Sequence, residues 1–315
     1  MSARFQSVLA RLWGQLLGIA IGLALGACAA PRVPSVFTTP PAPSALAHAA
    51  YHAPAAPAFK SLMLPAPVVG FWRSPAILAK PDRALGAPAI VSIYIEGDGA
   101  AWRDRTQAPS DPTPTDPLAA RLAHADPADW VVYLGRPCQY LKEEERMACD
   151  PQWWQAARYG DTVIALMQNA LGSAIQQIES DRQARLPNPP PLQVRLIGYS
   201  GGGVIATFIA QERLEVECLI TVAAPLDITA WTSGHGVSPL SQSRNPARLA
   251  ALRAVPQTHW YGQADRVVPP QAIGSYPWRA LGDRAQVHVL AKFDHRTPWA
   301  EQWPTLLARS CPKRP

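Results

Sequence analysis

The sequence predicts an α/β fold with a mostly parallel central sheet, and three observations carry that expectation. From about residue 68 onward, β-branched apolar runs alternate with segments of helical spacing. Roughly 250 residues follow that point, which suits one α/β domain. One apolar run, Arg195-Leu196-Ile197, passes directly into Gly198-Tyr199-Ser200-Gly201-Gly202 and then into residues able to start a helix. A serine raised on such a tight strand-to-helix turn needs small residues two places before and after it, because a Cβ there would clash, and Gly198 and Gly202 fill those places.

Taken in order, Ala89 to Ile95 reads as a buried strand that ends at the turn Glu96-Gly97-Asp98-Gly99. Asp116-Pro117 reads as an N-cap followed by proline at the first helical position, opening a helix through about Ala125. Trp130 to Leu134 is the next strand. Val163, Ile164, Met167, Leu171, Ile175 and Ile178 recur at helical spacing, so a long helix is expected from about Pro151 to Asp181. Pro187 to Pro191 breaks it and leads into the strand Gln193 to Ile197. Beyond the serine turn come a helix to about Arg213, a strand Val216 to Val222, and an irregular stretch from Ala224 to Asn245. Leu249 to Ala254 reads as helical. The strand Thr258 to Tyr261, a helical piece after Pro269, the strand Gln286 to Ala291 and a helix from about Pro298 complete the order. Strands joined through helices imply right-handed parallel crossovers, with a ligand site at the carboxyl ends of the strands.

The first 67 residues differ in kind. Residues 1–27 carry Arg4 and Arg11 and no acid, and Leu12 to Leu25 is largely apolar but short for a membrane span, the make-up of an export signal. The signal ends in Leu25-Gly26-Ala27-Cys28, which resembles the lipobox of bacterial lipoproteins. That resemblance implies lipidation of Cys28 and, with Ala29 rather than aspartate after it, an outer-membrane location facing the periplasm. Residues 28–67 are rich in proline and alanine and read as an extended tether, leaving 68–315 as the catalytic domain. Without Arg4 and Arg11 the 29 basic residues become 27 against 23 acidic ones, a formal charge of +4. No basic run or aromatic-basic interleaving points to nucleic acid.

Four cysteines besides Cys28, in an exported chain, favour disulfides over metal, and no Cys/His spacing resembles a zinc site. Cys138 and Cys149 flank a polar segment and read as a local clip, a constraint of roughly 2–3 kcal/mol on the unfolded chain. Cys218 could pair with Cys311 or stay a buried thiol. No metal and no cofactor is expected, and the expected state is a monomer.

A serine nucleophile needs a base and an acid that orients the base. Of the seven histidines, His48 and His52 fall in the tether and His259 and His288 inside strands, whereas His295 stands just beyond the last strand. Asp265, in the turn Gly262-Gln263-Ala264-Asp265-Arg266-Val267-Val268-Pro269, follows another strand; Asp227 is the alternative acid, and Asp294 is too near His295 in sequence. In order and placement, Ser200, Asp265 and His295 resemble the Ser, Asp, His set of the α/β-hydrolase family over roughly residues 89–310.

The resemblance implies an α/β-hydrolase fold with a short cap at Ala224–Asn245 and acyl transfer by a Ser200, His295 and Asp265 triad. It also implies an oxyanion hole made by Gly201 N–H with Asp98 or Gly99, where the chain departs from the family's His-Gly segment by carrying Glu96. Trp102, Tyr199, Trp231 and His235 border the expected site. The expected substrate is a small or medium carboxylic ester, small-molecule or lipid-like; a peptidase, an acyltransferase on envelope components, or a non-catalytic envelope lipoprotein of the same fold are the alternatives.

Overall fold

In the computed structural model the described residues are 59–75, 89–100, 109–250 and 252–311. The expected export signal, Cys28, most of the stretch read as tether with His48 and His52, and Trp102 lie outside them.

Eight strands form one sheet: β1 Lys60–Ser61, β2 Gly70–Arg73, β3 Ala89–Ile95, β4 Trp130–Leu134, β5 Leu192–Tyr199, β6 Val216–Val222, β7 Gln257–Gly262 and β8 Ala285–Leu290. Their spatial order is β1-β2-β4-β3-β5-β6-β7-β8. The first two pair antiparallel, and every pairing from β4 to β8 is parallel. The sheet therefore starts at Lys60, inside the stretch read as tether, where Leu62 is already buried. Strands of two and four residues are too short to show the alternation that marks a strand in sequence.

Among the described residues six α-helices accompany the sheet: α1 Leu118–Ala125, α2 Glu143–Arg146, α3 Asp161–Arg185, α4 Gly201–Glu212, α5 Ile228–Gly234 and α6 Trp299–Ala308. The period-two alternation of the central strands decides which helices they face. Val91, Ile93 and Ile95 of β3, Val132 and Leu134 of β4 and Leu196 of β5 pack with α3 and α4. Tyr94, Val131, Tyr133, Ile197 and Tyr199 point to the opposite face, with α1 and α6. On that face Trp303 Nε1 donates to Tyr94 Oη at 2.7 Å, and Tyr94 in turn donates to Asp126 at 2.6 Å, so the buried hydroxyl is satisfied on both sides.

Several helix boundaries differ from the sequence expectation for identifiable reasons. The expected helix from Pro151 is a 3-10 turn, Pro151–Trp154, and α3 begins only after Gly160 and runs on to Arg185. Gly160 is extended, and a Cβ on it would sit 2.8 Å from Gln242 O, so the chain bends where the 235–245 segment packs against it. Helix α1 starts at Leu118 with Pro117 at its cap and no side-chain cap bond. Asp116 instead pairs with Arg121 at 3.2 Å, while Glu96 accepts from the Ala119 N–H.

The helix expected at Leu249–Ala254 does not form; a 3-10 turn at Pro246–Arg248 precedes an irregular stretch. There Arg253 donates to the carbonyls of Ala210, Arg213 and Leu214 at the end of α4, meeting acceptors the helix itself leaves unpaired. Within Ala224–Asn245, read as irregular, the short helix α5 appears, capped by Asp227.

Both disulfides are closed. Cys138 and Cys149 bridge at a Cα separation of 6.2 Å, and Cys218 and Cys311 at 5.9 Å, so the pairing left open for the second couple is made. The second bond ties β6 to the chain just past α6 across 93 residues. Replacing Cys218 and Cys311 together by alanine should cost about 2–4 kcal/mol in urea unfolding at constant slope. A double variant as stable as oxidised wild type would show that the bond is not closed in solution.

Candidate active site

The parallel register brings the carboxyl ends of β3, β5, β6, β7 and β8 to one edge of the sheet, with Ile95 beside Gly198 and Tyr199 beside Val222. Ser200 follows β5 with φ of 50° and ψ of −125°, an uncommon conformation for a residue with a side chain. Its N–H is held by Val222 O at 2.8 Å. The two flanking glycines are required by contact: a Cβ on Gly198 would lie 2.4 Å from Gly202 O, and one on Gly202 would lie 2.3 Å from Ile95 O. Gly201 is equally constrained, since its Cβ would fall 1.9 Å from the Asp98 carboxylate.

His295 and Asp265 are brought together. His295 Nδ1 lies 2.8 Å from Asp265 Oδ2, and Asp265 Oδ1 accepts the N–H groups of Val267 and Val268, each at 2.8 Å. A carboxylate accepting at Nδ1 fixes the tautomer that leaves Nε2 free to take a proton. Tyr199 holds the other side of the base, donating to His295 O at 3.0 Å with its ring 5.2 Å from the imidazole. Asp294 folds its own loop by accepting from Arg296 N and Thr297 N.

Asp227, the alternative acid, is occupied elsewhere. It caps α5 through Ala230 N and accepts from Ser275 N and Oγ and from Asn245. Burial acts to raise its pKa, but these donors hold it down to about 2. His259 is fully buried with Nδ1 2.9 Å from Thr221 Oγ1, and burial pushes its pKa down to about 3, so it stays neutral in the core. His288 stacks on Trp260 at 4.3 Å.

Ser200, His295, Gly97, Asp98, Gly99, Tyr199 and Trp231 line one cavity of about 420 Å³. Trp231 Nε1 and His235 Nε2 both donate to Val267 O, at 2.7 and 2.8 Å, which docks α5 on the loop that carries Asp265. Among the described residues no group of three His, Cys, Asp or Glu is placed to hold a metal, and no helix is long and apolar enough to cross a membrane.

The side-chain partners of two residues beside Ser200 had no sequence signal. The Asp98 carboxylate accepts from Arg136 at 2.8 Å, Arg158 at 3.1 Å and Tyr159 at 2.6 Å. Burial pushes its pKa up, but the two guanidiniums outweigh that and leave it below the ordinary value. Glu96 is only 1% exposed and accepts from Gly97 N at 2.8 Å and Tyr133 Oη at 3.1 Å. Burial wins over these donors and raises its pKa to about 7.

With this geometry in view, solved structures give the comparison that decides the fold. An acylaminoacyl peptidase of Pyrococcus horikoshii aligns over 79% of this chain and 39% of its own at 12% identity, with a TM-score of 0.50. A puromycin hydrolase aligns over 81% and 39% at 14% identity, also at 0.50. An esterase of Pyrococcus furiosus aligns over 90% and 97% at 13% identity, again at 0.50. The chain has the α/β-hydrolase fold. It spans about two-fifths of the first two proteins and nearly the whole of the third. No protein-family model and no curated protein matches the sequence. Within the α/β-hydrolase fold, β5 carries the serine turn, the β7 loop carries Asp265 and the β8 loop carries His295.

The Glu96 carboxyl generates a pH prediction. Unfolded, it loses its proton near 4.5; folded, it keeps it to about 7. Between these values the folded state binds more protons, so the Glu96 contribution to stability falls as pH rises through that window. The thermal midpoint of Glu96→Gln should therefore fall less than that of wild type between pH 5 and pH 8. Parallel curves would show that Glu96 does not titrate there.

Proposed function

We propose that this protein is a serine hydrolase that cleaves a small or medium carboxylic ester through an acyl-enzyme. The observation that supports this most directly is the 2.8 Å contact between His295 and Asp265 at the same cavity as Ser200. In this reading Ser200 Oγ attacks the ester carbonyl and passes its proton to His295 Nε2. Asp265 stabilises the imidazolium, and the Gly201 N–H and one from the Asp98–Gly99 turn hold the oxyanion. The imidazolium then protonates the leaving alcohol, and water, deprotonated by His295, releases the acid and restores Ser200.

The short cap, with only α5 as a regular element, fits a site open to modest substrates rather than one beneath a lid domain. An amide bond or an acceptor other than water would use the same atoms, so substrate panels separate the readings. On p-nitrophenyl esters of graded chain length, Ser200→Ala should lose about a thousandfold or more in kcat, and Asp265→Asn should lose a comparable factor, while Asp227→Asn acts on thermal stability. Ester turnover unchanged in Ser200→Ala would discard this site.

The reading extends to place. The Leu25-Gly26-Ala27-Cys28 pattern and the proline-rich stretch after it support a lipid anchor at Cys28 that holds the enzyme on the periplasmic side of a bacterial outer membrane. Cys28→Ser should move the protein from the membrane fraction to the soluble fraction, and unchanged membrane association would remove the anchor.

A further inference from the structure

The loop that should supply the second oxyanion donor is held by a buried side chain that no sequence motif marked. Gln139 is fully buried, and its Nε2 donates to Gly97 O at 3.0 Å and to Pro112 O at 3.3 Å. Its Oε1 accepts from Arg136 N at 2.9 Å. In a trans peptide the C=O and the following N–H lie in one plane and point in opposite directions. Gripping Gly97 O therefore sets the direction of the Asp98 N–H, which belongs to the same peptide unit.

Neighbouring contacts restrict the loop to that orientation. The Gly97 N–H is taken by the Glu96 carboxyl at 2.8 Å, so it is not the donor. A Cβ on Gly97 would stand 3.3 Å from Ser200 Cβ, which places this peptide against the nucleophile. The Asp98 side chain is held by Arg136, Arg158 and Tyr159 beside Gly201. Gly99, with φ of 65°, makes room for the glutamine, because a Cβ there would lie 2.8 Å from Gln139 Nε2 and 2.1 Å from Pro112 O.

Gln139 is itself set by unusual backbone. Both of its neighbours have positive φ, 72° at Cys138 and 64° at Tyr140, although neither is glycine. Such conformations cost free energy and persist only where the surroundings over-determine them. Here Cys138 N donates to Pro67 O at 2.9 Å, Tyr140 N donates to Thr113 Oγ1 at 2.8 Å, and the Cys138–Cys149 bridge closes the loop. Arg136 Nη2 donates to Arg158 O, joining the two arginines that hold Asp98.

We propose that Gln139 is a positioning residue which, by fixing the Gly97–Asp98 peptide, makes the Asp98 N–H rather than that of Gly99 the second oxyanion donor. The proposal rests on the serine-hydrolase reading and assigns a feature which that reading leaves open between two residues.

The test uses the whole chain and a fluorophosphonate probe, whose reaction forms a bond from Ser200 Oγ to phosphorus, expels fluoride, sends the serine proton to His295 and loads the oxyanion hole with a phosphoryl oxygen. Gln139→Met keeps the length and removes the donor; Gln139→Glu keeps the acceptor for Arg136 N. Both should be labelled about 10- to 100-fold more slowly than wild type. A trifluoromethyl ketone, which forms a tetrahedral adduct, should lose affinity by a similar factor, while the ester KM stays within about twofold. The pH midpoint of labelling should stay at the wild-type value, because His295 and Asp265 are untouched.

A merely structural glutamine would lower the thermal midpoint of the variants and leave labelling and ketone affinity within twofold of wild type, and that result overturns the proposal. If one variant does not fold, the other carries the comparison. A folded wild type that takes no label at Ser200 brings down the serine-hydrolase reading and this inference with it, an outcome distinct from equal labelling of wild type and variants.

Discussion

The close approach of the β5–α4 turn to the end of β3 is the constraint on which the site depends. Gly202 lies so near Ile95 O, and Gly201 so near the Asp98 carboxylate, that a methyl group at either would displace backbone or a buried ion pair. That contact fixes Ser200 at positive φ and, in the same step, sets the Glu96–Gly99 loop beside it. A displacement of about 1 Å in such a constellation can cost about a hundredfold in rate. The parallel register then brings the loops after β6, β7 and β8 to the same edge, so the close contact needs only short loops to complete the site.

Four carboxyl groups stand at this edge, and the structure treats each differently. Asp265 shares its oxygens between His295 and two backbone N–H groups. Asp98 is held by two arginines and a tyrosine. Asp227 is surrounded by neutral donors and caps a helix. Glu96 also accepts from neutral donors, yet burial outweighs them and raises its pKa to about 7. A carboxyl deprived of water takes its chemistry from its partners, so identical residue types within one loop cluster need not share a role.

The residue 136–159 segment links these features. Its ends supply Arg136 and Arg158 to Asp98, its interior supplies Gln139 to the Gly97–Asp98 peptide, and the Cys138–Cys149 bridge closes it. Tyr133 and Tyr140, 2.7 Å apart through their hydroxyls, tie it back to β4 and to Glu96. A stretch that reads as a polar surface loop between two cysteines thus backs the Gly97–Asp98 peptide, while Arg158 and Tyr159 beyond it line the cavity.

The sequence by itself determined the elements whose signal is local. The β-branched runs of β3, β4 and β6 were legible to the residue, because burial on both faces makes each a largely apolar run. Ser200 was legible because its turn admits only small residues at Gly198 and Gly202. His295 and Asp265 could be named as partners because each follows a strand whose carboxyl end parallel topology sends to the same edge. Tertiary structure decided whatever depends on a distant partner. Gly160 delays the start of α3 where Gln242 packs against it, Arg253 replaces a helix by bonding the end of α4, and Asp227 is spent on Ser275 and Asn245. Gln139 and Arg158 reach Gly97 and Asp98 across 42 and 60 residues. Local pattern records what a residue does to its own backbone; it holds no trace of an uncharged amide or a guanidinium whose acceptor the fold supplies from another strand.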